Sequence, residues 1–456
     1  MQEILPQIES VTKLCYAATP TEGPCRYSDH VLRVPCEDGV LFYQTLTGEL
    51  LLLSKAEAEA APTDPTLRPL LEQRRFLVPT AFDEYTYACQ FRTVAALLHR
   101  PQPEITSFTI FTTTDCNARC PYCYEMGRPR RPMRDDTARD AAAYIARVSG
   151  GKKVKLGWFG GEPLMNARAI GIITEELRTR GVPFYSTMIT NGYLLDEQTV
   201  EKAKSDWHLE RVQITLDGTE EAYNRIKGYV RAQGSAYRRV LMNIERLLQA
   251  DVRVAIRLNA TPQNMDDLGR LTDELAVRFA GQKKLSLYSF PVWDFDPDGA
   301  EPEPETVARW DALQRRILAS GVGRHDRLSR QIRTVRCMAD NDNCVTILPD
   351  GQLGKCEHET ERLLIGSIYD GVTDPDMVAQ WKERVAVPAC KTCVLLPQCI
   401  LLTKCAWSNG RCTEINRAFT RLRLEQKVLG EYRHFLQTRG QAEESEPEED
   451  QTEGLR

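Results

Sequence analysis

Three cysteines, Cys116, Cys120 and Cys123, stand within the eight-residue segment CNARCPYC. Three thiolates on one short loop can hold three irons of a [4Fe–4S] cube and leave the fourth iron without a protein ligand. These spacings leave too little chain for a four-cysteine zinc knuckle, and a fourth ligand is missing locally. A chance group of buried cysteines and a zinc site are the alternatives.

A second element that could do chemistry is Trp158–Pro163, with the letters WFGGEP. Gly160 and Gly161 let the backbone approach a ligand closely. Glu162 offers an acceptor for an ammonium group. Taken alone, this element also fits a simple turn.

The elements that must position these residues alternate between strands and helices. Apolar strands are predicted at 107–112, 154–159, 184–190, 211–216, 252–258 and 284–290. Helical patterns are predicted at 135–148, 166–180, 197–204, 237–249 and 266–279. This alternation predicts an α/β fold of parallel βαβ units with right-handed crossovers, closed or partly closed into a (β/α)6 barrel. Functional groups of such barrels lie at the carboxyl ends of the strands, where CNARCPYC follows the first strand.

The combination of CxxxCxxC, an aromatic residue before the last cysteine and GGEP resembles the radical S-adenosylmethionine (radical SAM) superfamily. The resemblance implies a [4Fe–4S] cluster on Cys116, Cys120 and Cys123 whose open iron chelates SAM, and release of a 5′-deoxyadenosyl radical. It implies that GGEP, completed by Pro163, holds the amino group of SAM and that Tyr122 lies near the adenine. Polar residues at the following strand ends would contact SAM or line the substrate cavity: Thr190, Asn191, Thr215, Asp217, Arg257 and Asn259.

Eight further cysteines form a second group between Cys337 and Cys412. Eight thiolates can ligate two four-iron clusters completely, whereas two zinc ribbons are the alternative. The group resembles the SPASM extension of peptide-modifying radical SAM enzymes. That resemblance implies three [4Fe–4S] clusters in all, with one auxiliary cluster on Cys337, Cys344, Cys356 and Cys405 and another on Cys390, Cys393, Cys399 and Cys412. The family usually has three residues between the counterparts of Cys399 and Cys405, and this chain has five.

The N-terminal segment reads as three short strands within 31–53, followed by helical patterns at 55–61 and 67–75. It resembles the winged recognition element that holds the leader of a precursor peptide, and a structural cap is the alternative. We predict five regions: a recognition-like domain at 1–98, the radical SAM core at 105–300, a linker at 301–336, a SPASM domain at 337–436 and a disordered acidic tail at 437–456.

Composition limits the classes of function. The formal net charge is −5, which does not suggest a nucleic-acid binder. No segment has the length of a membrane-spanning helix or the pattern of a signal peptide, so we expect a cytoplasmic protein without a membrane partner. The 15 cysteines are then more readily explained as metal ligands than as disulfides.

These resemblances imply an enzyme that takes hydrogen from a ribosomally made precursor peptide with a leader and traps the product as a crosslink. A thioether between a cysteine sulfur and a carbon is expected first, and a carbon–carbon crosslink or formylglycine formation are alternatives within the class. A non-enzymatic iron–sulfur electron-transfer protein or zinc-binding scaffold is the alternative from another class. A ferredoxin- or flavodoxin-type donor would supply low-potential electrons. Complete auxiliary ligation would favour electron acceptance over substrate binding.

Glu357 is the candidate catalytic base, because it directly follows Cys356 and an acidic residue holds the matching place in sulfatase-type relatives. An exposed position in the acidic run Glu357–Glu359 is the alternative. Asp217 is the second candidate.

Overall fold

The computed structural model describes residues 1–8, 23–98, 104–292, 303–323, 327–329, 337–358, 362–399, 401–405 and 410–445. Its strands are β1 (Gln2–Leu5), β2 (Cys25–Tyr27), β3 (Val31–Cys36), β4 (Gly39–Gln44), β5 (Leu50–Leu53), β6 (Leu77–Pro79), β7 (Ser107–Thr113), β8 (Val154–Gly160), β9 (Phe184–Thr190), β10 (Leu209–Leu216), β11 (Arg253–Ala260), β12 (Leu285–Pro291), β13 (Cys344–Ile347), β14 (Gln352–Gly354), β15 (Gly366–Ser367) and β16 (Gly371–Val372). Its α-helices are α1 (Lys55–Ala60), α2 (Leu67–Gln73), α3 (Glu84–Leu98), α4 (Asp135–Ser149), α5 (Ala167–Thr179), α6 (Glu197–Ser205), α7 (Glu220–Lys227), α8 (Ala236–Gln249), α9 (Met265–Arg278), α10 (Pro304–Ala319), α11 (Pro375–Gln380) and α12 (Glu414–Ser445).

The central sheet contains six parallel strands, β7 to β12, in sequential order. Each successive pair is connected through at least one helix, as parallel neighbours require. The strands are rich in buried apolar residues because helices cover the outer face. The two end strands of this set, β7 and β12, do not pair with each other, so the barrel is open on one side. The predicted α/β fold with a partial barrel is confirmed.

The open side is extended by a strand from the C-terminal cysteine-rich segment. Strand β13 pairs in parallel with β7, and Cys344 lies opposite Ser107. Strands β14, β15 and β16 then continue the sheet in antiparallel order. A candidate ligand of an auxiliary cluster is therefore part of the same sheet that carries CNARCPYC.

The N-terminal sheet has the strand order β1–β5–β4–β3 and is apolar on both faces. One face packs on α1 and α2 through residues such as Phe42 and Leu71. The other face packs on the C-terminal helix α12 through residues such as Leu41 and Val428. Because side chains alternate along a strand, the mixed apolar pattern of β4 supplies both cores.

Two segments differ from the sequence prediction. The predicted linker at 301–336 contains α10, whose buried Trp310, Leu313 and Ile317 join the main core. The acidic composition before this helix concealed its 3.6-residue apolar repeat. Helix α12 continues to Ser445, past residue 437 where the disordered tail was predicted to begin, and 446–456 lie outside the described residues.

Within the described part of the chain, none of the helices combines the length and hydropathy needed to cross a membrane.

Candidate functional site

The loop that carries Cys116, Cys120 and Cys123 leaves the carboxyl end of β7. Burial, together with smaller contributions from nearby Glu162, Cys120 and Cys123, raises the pKa of the Cys116 thiol to about 12. The Cys116 sulfur accepts a hydrogen bond from the backbone N–H of Ala118 at 3.4 Å. A thiol buried in this way stays neutral unless a metal ion supplies positive charge.

Cys116, Cys120 and Cys123 supply three thiolates, one fewer than a four-coordinate zinc site takes and the number that holds three irons of a cube. No group of three or more His, Cys, Asp or Glu side chains among the described residues is arranged around one metal ion. In a four-iron cluster each protein thiolate binds a separate iron, so the ligands surround a cube. Cys116, Cys120 and Cys123 would hold three irons of such a cluster.

The two glycines of GGEP pack against the cysteine loop itself. A Cβ at Gly160 would lie 2.1 Å from the carbonyl oxygen of Thr113, and one at Gly161 would lie 2.4 Å from that of Asp115. The Gly161 N–H donates to Thr113 at 3.1 Å, and the Glu162 N–H donates to Asp115 at 2.8 Å. The absence of side chains thus lets the β8 end dock onto the β7 loop.

Glu162 is completely buried and is held by donors from the next strand end. Its carboxylate accepts from the Thr190 hydroxyl at 2.8 Å and from the backbone N–H groups of Asn191 at 2.9 Å and Leu164 at 3.1 Å. A carboxylate has about four acceptor positions, so these three donors leave capacity for one further donor. Burial raises the pKa of Glu162, whereas these hydrogen bonds lower it.

Asn191 connects this carboxylate to the cysteine loop. Its side-chain N–H donates to Oδ1 of Asn117 at 2.6 Å and lies 4.0 Å from the sulfur of Cys116. The ends of β7, β8 and β9 are therefore joined by a continuous set of hydrogen bonds. Thr190 and Asn191, which we predicted to contact SAM or line the substrate cavity, donate hydrogen bonds to Glu162, and Asn191 also donates to Asn117.

Asp217 lies at the end of β10 in a buried polar group. Its Oδ2 accepts from the Tyr122 hydroxyl at 2.6 Å and forms an ion pair with Nζ of Lys227 at 2.7 Å. The same ammonium donates to the Thr215 hydroxyl at 2.7 Å. Burial opposes the charge of Lys227, but Asp217, Tyr122 and Cys120 raise its pKa overall. The other oxygen of Asp217, Oδ1, is buried without a hydrogen-bond partner among the described residues.

Arg257 and Asn259, from β11, contact each other through an Nε to Oδ1 hydrogen bond of 2.8 Å. The Arg257 guanidinium also lies 4.1 Å from the centre of the Phe290 ring. Asn264 reaches from the start of α9 to the backbone oxygens of Asn259 and Asp217. The β10 and β11 ends are thereby held together.

The candidate base Glu357 interacts electrostatically with Tyr124, which follows the cysteine loop, and with Arg257 of β11. It is half-buried, burial raises its pKa, and the guanidinium of Arg257 opposes this increase. The next residue, His358, stacks on Tyr124 with ring centres 4.2 Å apart and accepts from Arg128 through its backbone oxygen at 2.9 Å. The segment after Cys356 is thus packed on the loop of the first three cysteines.

Of the first auxiliary set, Cys337, Cys356 and Cys405 pack against the same core. Burial raises the pKa of the Cys337 thiol to about 11, and the Glu357 carboxylate and the Cys405 thiol contribute to this increase. Cys344 lies in β13, and a hydrogen bond with the Ser107 side chain opposes the increase in its pKa that burial causes.

The structure brings the second auxiliary set together. Cys390, Cys393, Cys399 and Cys412 line one cavity of 430 Å³. Burial raises the pKa of Cys393, and Cys399, Cys390 and Cys412 all raise it further.

Three positions were missed by the sequence analysis. Lys227 ends an amphipathic helix, where a lysine is normally solvated, and nothing local indicates its pairing with Asp217. Asn117 stands inside the cysteine motif, which is a signal that the sequence analysis did not use. Arg92, described further below, lies on α3, a helix that was not predicted.

Residues 110–275 match the family profile of the Radical SAM superfamily. A "Probable GTP 3',8-cyclase" of Methanocaldococcus jannaschii is 32% identical over 169 residues, which are 36% of this chain and 50% of the cyclase. A protein of the same description from Methanococcus maripaludis strain C5 is 35% identical over 127 residues, 27% of this chain and 40% of that protein. The chain thus spans at most half of the length of these curated relatives.

A solved structure described as native anSMEcpe with bound AdoMet and Cp18Cys peptide has the same fold. It aligns with 75% of this chain and 100% of its own chain, with a TM-score of 0.56 and 16% identity. The profile match covers the strands and loops that carry the three cysteines, GGEP and Asp217. Residues 110–275 are therefore similar to the Radical SAM superfamily, and the chain has the fold of this solved structure.

Proposed function

We propose that this protein is a radical SAM enzyme that installs a crosslink in a ribosomally made precursor peptide. The observation that carries the proposal is the meeting of CNARCPYC, GGEP and Asp217 at the carboxyl ends of β7, β8 and β10. An electron-transfer protein needs the cysteines but has no use for a glycine–glutamate element and a buried carboxylate beside them.

The residues have separate roles in this proposal. Cys116, Cys120 and Cys123 would hold a [4Fe–4S] cluster, which when bound supplies the electron that cleaves SAM. Glu162 has one acceptor position left, and this position suits the SAM ammonium group. The unpartnered Oδ1 of Asp217 suits a hydroxyl or amine donor of the same ligand.

The N-terminal sheet supports capture of a peptide. Strand β3 lies at the edge of that sheet. It borders a groove of 930 Å³ shared with α12, whose charged lining residues are cationic Arg33, Lys55, Arg417 and Arg421 and anionic Asp29, Glu59 and Glu414. An extended peptide can add to such an edge through main-chain hydrogen bonds. We propose that the leader of the precursor binds here.

The product that we propose first is a thioether between a cysteine sulfur and a carbon of another residue. Its formation removes a hydrogen atom from carbon, a proton from the thiol and one electron. In this proposal Glu357 would accept the proton, and clusters on the eight C-terminal cysteines would accept the electron. The cluster that cleaves SAM would receive its electron from a low-potential donor of the ferredoxin or flavodoxin type, and we propose a cytoplasmic location for both proteins.

The test is anaerobic incubation of reconstituted enzyme with dithionite, SAM and a cysteine-bearing precursor encoded beside the gene. We expect 5′-deoxyadenosine and a peptide that has lost two hydrogens and resists thiol alkylation. A product that lost two hydrogens but kept its thiol would indicate a carbon–carbon crosslink. Loss of sulfur would indicate formylglycine, and an unchanged peptide would contradict the proposal.

Removal of residues before Phe91 tests the N-terminal domain as a whole, because it removes the groove, the sheet that packs on α12 and the start of α3. We expect SAM cleavage without peptide to continue and modification of leader-bearing peptide to be lost. Normal modification of the full precursor by the truncated enzyme would show that the N-terminal domain is only structural.

A further inference from the structure

Helix α3 of the N-terminal domain packs on the second auxiliary cysteine set. Its Ala88 and Phe91 form an apolar cluster with Leu396, and Cys390 and Cys393 pack against that cluster. The helix is therefore part of the wall around these cysteines, although it is about 300 residues away in sequence.

Arg92 extends from this helix toward the cysteines. Its Nη1 donates to the carbonyl oxygen of Leu396 at 3.3 Å. Its Nη2 is buried and has no hydrogen-bond partner among the described residues. Burial and nearby Arg384 lower the pKa of Arg92, whereas the thiols of Cys399 and Cys390 raise it. A buried guanidinium N–H without an acceptor costs free energy, so its presence calls for a negative group at this place.

The cavity around the four cysteines is strongly cationic. Its described lining residues include no Asp or Glu, and they include five cations: Arg92, Arg384, Arg417, Arg423 and Lys427. Of these, Arg384 also forms an ion pair at 3.4 Å with Asp340, which is not a lining residue. Arg417 donates to the sulfur of Cys412 at 3.5 Å, and Arg384 donates to the carbonyl oxygen of Cys399 at 2.7 Å. Four neutral thiols offer these cations no negative charge, whereas a cluster held by four thiolates is anionic.

We propose that α3 places the Arg92 guanidinium beside the Cys390–Cys393–Cys399–Cys412 centre, where its positive charge raises the reduction potential of the bound iron–sulfur cluster. Reduction adds one negative charge to the cluster, and a cation in a desolvated cavity stabilises that charge. The N-terminal domain is then a structural part of the electron-transfer site as well as a peptide-binding domain. This inference rests on the proposed auxiliary cluster.

The experiment is an anaerobic redox titration of full-length protein, followed by electron paramagnetic resonance. The background carries Cys116→Ala, Cys120→Ala and Cys123→Ala, so only auxiliary signals remain. The signal that disappears when Cys390 is also replaced with Ala belongs to the cluster on Cys390, Cys393, Cys399 and Cys412. If the parent protein contains zinc and lacks this signal, both the cluster assignment and the inference are overturned.

With that couple identified, Arg92→Gln removes the charge and keeps a donor. We expect reduction to become about tenfold less favourable, which is about 59 mV lower for one electron. Arg92→Lys should keep most of the parent potential, because it keeps the charge. Arg168→Gln is the matched control. This exposed arginine on α5 pairs with Asp135 and lies more than 200 residues before Cys390, so its replacement should not change the reduction potential.

A potential that is unchanged in Arg92→Gln would overturn the inference while leaving the proposed function intact. An equal decrease in Arg92→Lys and Arg92→Gln would also overturn it, because the effect would then be structural. If Arg92→Gln does not retain iron, Arg92→His provides the same test within one folded protein. Protonation of the introduced imidazole at low pH should restore the positive charge, so the reduction potential of Arg92→His should rise between pH 8 and pH 5.5 by more than that of the parent protein. An equal rise in the two proteins would overturn the inference.

Discussion

The ammonium nitrogen of Lys227 lies 2.7 Å from Oδ2 of Asp217, in an ion pair that is closed to solvent. The Tyr122 hydroxyl donates to the same oxygen at 2.6 Å. Because Tyr122 stands between Cys120 and Cys123, this pair fixes the cysteine loop to the end of β10. The backbone supports the connection, since the Arg119 N–H donates to the carbonyl oxygen of Lys227 at 2.8 Å.

Lys227→Met should leave the Asp217 carboxylate buried and without its counter-ion. Removal of one partner of a buried ion pair costs about 3–5 kcal/mol, so we expect the free energy of unfolding to fall by about that amount. Denaturant unfolding of the protein measures it. Asp217→Leu combined with Lys227→Met should recover most of the loss. Arg253→Met, which breaks an exposed pair with Glu210, is the control and should cost about 1 kcal/mol or less.

Gly161→Ala should disrupt the contact between GGEP and the cysteine loop, because its Cβ would lie 2.4 Å from a backbone oxygen that cannot move independently. We expect the iron held by the first three cysteines and the rate of SAM cleavage both to fall. Gly171→Ala is the matched control, since no atom lies within 4 Å of its added Cβ. This control should keep its iron and gain about 0.5–1 kcal/mol of stability in α5. Full iron content in Gly161→Ala would show that the loop adapts.

Glu357→Gln keeps the shape of the side chain and removes its basicity. If Glu357 accepts the proton lost on crosslinking, 5′-deoxyadenosine formation should persist while crosslinked product falls by roughly 10²-fold or more. Chromatography of both products from one reaction measures the ratio. Glu383→Gln, at an exposed position of the same segment, should not change it. An unchanged ratio in Glu357→Gln would move the search for the base to Asp217.

Metal content separates the two interpretations of the C-terminal cysteines. If all eleven clustered cysteines are ligands, anaerobically reconstituted protein should contain about twelve irons, in three cubes of four. Zinc in the C-terminal segment predicts about four irons and two zincs instead. Elemental analysis decides between these contents.

The sequence was sufficient to predict β7 to β12 because each is an apolar run followed by a polar strand end and a helical repeat. It was not sufficient for β13, which has four residues and pairs with β7 more than 200 residues away. A short strand of this kind is defined by its partner and not by its own pattern.

The same limit applies to the candidate site. The spacing of Cys116, Cys120 and Cys123 is local and therefore readable, as is GGEP. Lys227 and Arg92 make their contacts only in the folded protein. Lys227 pairs with Asp217, 10 residues earlier in the chain, and Arg92 donates to Leu396, 304 residues later. Sequence patterns indicate which residues can do chemistry, whereas the charges that surround them depend on the packing of distant elements.

The most direct test of the account is SAM cleavage by reconstituted protein under anaerobic conditions with dithionite. Wild-type protein should form 5′-deoxyadenosine, and Cys116→Ala, Cys120→Ala and Cys123→Ala should each abolish its formation. Cys25→Ala, in the N-terminal domain, is the control and should cleave SAM at the wild-type rate. Formation of 5′-deoxyadenosine at the wild-type rate by any of the three loop variants, or none by the wild-type protein, would contradict the assignment of radical SAM chemistry to this chain.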